Sequence, residues 1–109
     1  MSSPPAHLLV HCTCPADRAA SLARALVEAR VAACVNAIGG IESTYRWDGA
    51  IEQECETLLL IKTRADRFEA LRASILAHHP YERPEIIAVP VAAAHTPYLD
   101  WISDSLDLA

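Results

Sequence analysis

No run in these 109 residues approaches the ~20 consecutive apolar positions of a membrane-spanning helix, and Met1 to Ala6 offers neither the basic start nor the apolar stretch of a secretory signal. An excess of positive charge is missing too. The formal net charge is −5 and the basic residues are scattered rather than striped, which removes the electrostatic footprint that a phosphate backbone or an anionic lipid surface demands. Neither nucleic acid nor membrane is an expected partner, and a cytoplasmic location is expected. There is no doubled Cys-x-x-Cys, which excludes a zinc ribbon or finger. Cys12, Cys14, Cys34 and Cys55 accompany no export signal and are expected as reduced thiols. No linker, low-complexity segment or charge block divides the chain. Hydrophobic residues make up 52%, and a chain of this length can bury roughly 65% of its unfolded surface without staples. A disordered tail over 1–6 and one domain over 7–109 are expected.

What is present reads as seven elements. Leu8 to Cys12 is a first strand, closed by Cys14-Pro15, and Ala19, Leu22, Ala23, Leu26 and Val27 form the apolar stripe of a helix from Ala16 to about Arg30. Cys34 to Trp47 reads as one long strand with a bulge at Gly39-Gly40, and Asp48-Gly49 supplies a two-residue hairpin turn into a strand returning through Ile61. Asp66 is placed to cap a second helix with Phe68, Leu71, Ile75 and Leu76 inward, ending at His78 and His79 before Pro80. Ile86 to Val91 is a fourth strand, and Thr96-Pro97 starts a last helix. With right-handed crossovers the order predicts an α+β fold, a ferredoxin-like βαββαβ sandwich with a long hairpin and an added C-terminal helix. Its first strand lies between the third and fourth, all neighbours antiparallel.

That winding brings the end of the first strand to the edge where the second helix ends and the fourth strand begins. Cys12, His78 or His79, and Glu85 are therefore expected to gather there. Thiolate, imidazole and carboxylate together favour a divalent transition ion over magnesium or calcium, and affinity order puts Cu²⁺ ahead of Zn²⁺. The plainer alternatives are a buried Cys12, histidines that cap carbonyls, and Glu85 paired with Arg83. Cys34 is expected in the core. Glu52, Glu54 and Glu56 repeat at period two on one strand face, as a solvated surface or an ion-binding ladder. The arms Ile41 to Trp47 and Ala50 to Thr63 exceed the usual five or six residues of a strand, so part of the hairpin should project and self-associate. Tyr45, Trp47 and Trp101 are the expected interface residues.

Cys12-Thr13 with Pro15, Val31-Ala32-Ala33-Cys34, Tyr45-Arg46-Trp47-Asp48-Gly49, Ile61-Lys62-Thr63, His79-Pro80-Tyr81-Glu82 with Pro84-Glu85, and Tyr98-Leu99-Asp100-Trp101-Ile102 stand in one order along the chain. Together they resemble the CutA family of divalent-cation tolerance proteins. The resemblance implies a fold similar to PII signalling proteins, a compact trimer, and metal binding by Cys12, His78 and Glu85. It also shows departures: Ala50 where a basic residue is common, Arg83 for an aliphatic one, His95 near a usual glycine, and Cys14 as an extra thiol. The expected function is a non-catalytic homotrimer that binds Cu²⁺ or a similar ion in metal tolerance. The alternative is a PII-like signalling or scaffolding trimer holding a small molecule in its subunit clefts. An enzyme with Cys12 or Cys14 as nucleophile and His79 as base has no recognisable oxyanion donors or orienting third group.

Overall fold

The structure, a computed structural model, describes residues 5–107. The first four positions of the expected tail lie outside the described residues, while the Ala6 carbonyl accepts a 2.8 Å hydrogen bond from the Ala65 N–H. Strand β1 spans His7–Cys14, helix α1 Ala16–Glu28, strand β2 Cys34–Trp47 and strand β3 Ala50–Arg64. Helix α2 follows over Phe68–His78, strand β4 over Ile87–Pro90 and helix α3 over Thr96–Asp107. The sheet order is β2-β3-β1-β4 with every neighbour antiparallel, the ferredoxin-like arrangement that the element order requires.

Alternation along β1 sends Val10, Cys12 and Cys14 to one face, where Cys12 pairs with Leu59 and Val10 with Ile61 across to β3. Leu22 and Leu26 of α1 and Leu71 and Ile75 of α2 close over these residues as one core. Val27 and Leu76, expected inward, stay 42% and 43% exposed, while Leu22 and Leu26 of α1 and Leu71 and Ile75 of α2 take the buried positions. The opposite face is covered at one end by α3. There Ile102 and Leu106 pack on Ala33, and the His7 Nε2 lies 3.1 Å from both the Leu99 carbonyl and Ser103 Oγ.

The expected cap at Asp66 does not form. A 3-10 turn over Ala65–Arg67 intervenes, Arg67 takes the capping position without a side-chain bond, and the Asp66 carboxylate accepts instead from Arg64 at 2.9 and 3.0 Å. A charged fork two residues away competes better for that carboxylate than neutral backbone N–H groups do. Arg64 also donates to both oxygens of Asp107 at 2.7 and 2.8 Å, fastening α3 to the end of β3.

The hairpin is longer than the sheet that carries it. Thr57 to Arg64 of β3 pairs with β1, whereas Ala50 to Glu56 pairs only with Ile41 to Trp47 of β2. Asp48 and Gly49 have φ of 49° and 81°, the paired positive angles of a type I′ turn, and the register shifts between Ile38 and Ile41 at the expected bulge. Seven rungs at ~3.4 Å give a free ribbon of about 24 Å. The radius of gyration, 14.8 Å, accordingly exceeds the about 13 Å of a compact chain this long.

Hydrogen bonds from Arg64 hold the Asp66 and Asp107 carboxyls below the usual carboxylate range. A depressed folded-state pKa contributes stability that is present above the unfolded pKa, about 4, and is lost as pH falls through the folded value. Asp107→Asn should lower the melting temperature near neutral pH, with the gap to the parent closing as pH drops below about 3. Thermal scans across that range check it; a gap that persists in acid contradicts the ion-pair assignment.

Candidate functional site

Three backbone segments meet at the C-terminal end of β1: the strand end itself, the loop that leaves α2, and β3 at the point where it parts from β1. Pro80 stops α2 and Pro84 keeps Arg83 extended, so the loop crosses the strand end without regular structure. His79 is the residue that reaches β1. It is buried, its Nε2 lies 2.8 Å from the Thr13 carbonyl, and its Nδ1 is 3.0 Å from the Tyr81 N–H. A backbone N–H can only donate, so Nδ1 accepts, Nε2 carries the proton, and the tautomer is fixed by its two partners. Tyr81 stacks obliquely on this ring at 4.8 Å and its hydroxyl donates to Glu56 Oε2 at 3.2 Å. One chain of contacts thus runs from Thr13 through His79 and Tyr81 to Glu56.

His78, on the preceding turn, is exposed, with Nδ1 2.8 Å from the Ser74 carbonyl of its own helix. Cys12 is fully buried on the helix side of β1. Burial first, then Cys14, Glu85 and Glu56, push its thiol up to about 12. Cys14 is raised as well, by burial and by Glu56 and Asp17. Neither is the low-pKa thiolate that a catalytic cysteine presents. Glu85 is exposed, yet close enough for its charge to act on Cys12. His79 thus sits on the carbonyl next to Cys12, the charge of Glu85 reaches the Cys12 thiol, and His78 stays in solvent. Among the described residues no three His, Cys, Asp or Glu side chains stand at distances that hold a metal ion.

Beside this strand end lies a cleft of about 890 Å³, walled by the inner face of the free ribbon and by the loop at Tyr81 to Glu85. Tyr45 and Trp47 line it from β2, Glu52, Glu54 and Glu56 from β3, and Glu82, Arg83 and Glu85 from the loop. Glu56 is 6% exposed. Burial and then Glu56 push the Tyr81 phenol up to about 12, and a hydrogen bond to Glu54 raises that of Tyr45. The buried Glu56 under Tyr81 was not legible in the period-two pattern, which treats it as one more surface carboxylate. The signal available was Tyr81 itself, held between two prolines and aimed back at the sheet. Cys34, expected in the core, is only half-buried, with the Lys62 Nζ 3.9 Å from its sulfur, because it faces the side of the sheet that α3 covers only in part.

Tyr45 and Trp101 are 37% and 46% exposed and Trp47, beside the turn, is 63% exposed. Trp101 stacks on Tyr98 at 5.5 Å on α3. These rings are partly exposed among the described residues.

A four-stranded α+β sandwich with a projecting ribbon and a donor-rich strand end is the class that fold and site define. The family model for the CutA1 divalent ion tolerance protein matches residues 8–105, and the chain belongs to that family. It is 45% identical over 94 residues to the divalent-cation tolerance protein CutA of Thermus thermophilus, covering 85% of this chain and 91% of that protein. Human protein CutA is 47% identical over 91 residues, 83% of this chain, but the match spans only 51% of the human protein. The crystal structure of CutA from Xylella fastidiosa superposes with a TM-score of 0.90 at 44% identity, covering 93% of this chain and 98% of that one.

The two histidines should separate on mutation. His79→Ala leaves the Thr13 carbonyl and the Tyr81 N–H without their partner and is expected to cost about 1–3 kcal/mol in urea denaturation. His78→Ala, an exposed change, should stay within about 0.5 kcal/mol. Equal effects would contradict the assignment of His79 as the residue that ties the loop to the strand.

Proposed function

We propose that this chain is a non-catalytic homotrimer that binds Cu²⁺ or a similar divalent transition ion in the cytoplasm and contributes to divalent-cation tolerance. The metal half is supported by two contacts at one strand end: His79 on the Thr13 carbonyl next to Cys12, and Glu85 close enough for its charge to act on the Cys12 thiol. Sulfur, nitrogen and oxygen donors suit a borderline-soft ion. Capture requires the Cys12 thiol to release its proton, because the thiolate is the ligand. The imidazole comes either from His79, once it lets go of the Thr13 carbonyl, or from exposed His78, whose Nε2 is free of the bond that engages Nδ1. The ion is cargo in this reading. The relatives named for divalent-cation tolerance support it at the level of the family.

The trimer half is supported by the sheet face that α3 leaves open. Strand pairing puts Leu9, Leu60, Ile87 and Val89 on that side, with Ile87 54% and Val89 41% exposed. Among the described residues, the outer edges of β2 and β4 and both edges of the free ribbon pair with no other strand. Exposed edges and an apolar face of this kind are normally closed by symmetric association, and Tyr45, Trp47 and Trp101 are the anchors we assign to it.

Light scattering followed by calorimetric Cu²⁺ titration of the same sample tests both halves. The expected mass is three times the 11.8 kDa chain, with one ion bound per chain. The double variant Cys12→Ser, His78→Ala should lose the ion and keep the trimer. A monomer refutes the assembly, and undiminished copper binding by that variant refutes the site.

A further inference from the structure

Three arginines at one end of the molecule close on the last turn of α3. Arg64, at the end of β3, grips both oxygens of Asp107 at 2.7 and 2.8 Å, and its side chain is only 11% exposed. Arg67 donates to the Leu106 carbonyl at 2.9 Å and to Asp107 at 3.2 Å. Arg30, at a φ of 58° where the chain leaves α1, donates to the Ser105 carbonyl at 2.8 Å, and its own carbonyl accepts from Arg67 at 3.2 Å. The last carbonyls of a helix have no partner within it, and cations placed there also complement its dipole. Asp107 is the one acid of α3 in an ion pair among the described residues.

The apolar attachment of α3 is small by comparison. Ile102 and Leu106, with Leu99 partly buried beside them, meet Ala33 in a cluster of their own, separate from the core that α1 and α2 close over the sheet. His7 adds its contact with the Leu99 carbonyl and Ser103 Oγ. Upstream, the Val91 N–H is tied to the His7 carbonyl at 3.0 Å, after which Ala92, Ala93, Ala94 and His95 are exposed and carry no regular structure. A helix with a small core, a charged fastening at one end and an exposed joint at the other can part from the sheet while the main core stays intact.

We propose that α3 is a strap that opens and closes as one body about residues 92–94, latched by Arg64 and Asp107, and that only the closed strap presents Trp101 to a neighbouring copy. Trp101 stacks on Tyr98 of the same helix and is 46% exposed, so it moves with the strap. The presentation of Trp101 rests on the trimer reading, whereas the latch needs one chain alone.

Native-state hydrogen exchange of the full chain, followed amide by amide, tests the strap. Amides 100–106 should share one opening constant, at least about tenfold larger than that of the amides between β1 and β3. Asp107→Asn should raise it about tenfold. Asp104→Asn, an exposed acid in no ion pair, should leave it within about twofold. Ile75→Val, in the main core, should speed exchange between β1 and β3 and leave α3 unchanged, because its contacts survive the opening. Equal acceleration of both by Ile75→Val would mean that α3 leaves only when the whole chain unfolds, which overturns the strap. Protection that falls off steadily from Asp100 towards Asp107 is end fraying and overturns it too. Trp101→Ala, measured where light scattering shows the parent assembled, should raise the α3 opening constant about tenfold. No change there overturns the link to the neighbouring copy. A monomeric parent refutes the trimer reading together with that link, and Asp107→Asn and Ile75→Val then decide the strap by themselves.

Discussion

Strand β3 has fifteen residues and its central partner β1 has eight, and that mismatch governs the molecule. Pairing with β1 ends at Cys14 opposite Thr57, so everything beyond must stand as a two-stranded ribbon. An isolated ribbon is marginal in water. The same departure point exposes the ribbon's inner face to the loop after α2, which makes the cleft, and leaves two edges unpaired, which invites association. The cleft and the unpaired edges share one cause.

Burial works against reactivity at the strand end. Cys12 and Cys14 point into the core because alternation along β1 gives them no other face, and desolvation together with nearby carboxylates keeps both thiols protonated. His79 is locked by two backbone partners. In the proposed metal reading, the strand end is a closed arrangement whose donors would become ligands only by exchanging a proton and a hydrogen bond for an ion. An open, preformed site would look different.

Much of the fold was legible because local signals agreed. Asp48-Gly49, the apolar stripe of α1 and the Pro80 stop each pointed to the element that forms, and the crossover rule then left one sheet order. Errors fell where two residues compete for one group. Asp66 is a good cap by type, but Arg64 takes its carboxylate. At the candidate site, topology predicts that the loop after α2 meets the end of β1, as His79 does on the Thr13 carbonyl, yet it does not tell which of two adjacent histidines turns inward. That choice depends on the phase of the last turn of α2 and on a single carbonyl, Thr13. Glu56 was misread as surface because its burial comes from Tyr81, 25 residues away in sequence.

The central claim is that the free ribbon is completed by other copies of the chain. Hydrogen exchange of the outward-facing amides of Ile41 to Trp47, measured at high concentration and after dilution to the dissociated state, tests it most directly. The account predicts protection when assembled and fast exchange on dilution, while amides between β1 and β3 stay protected in both. Protection of the outer amides that is independent of concentration, or missing throughout, would contradict it.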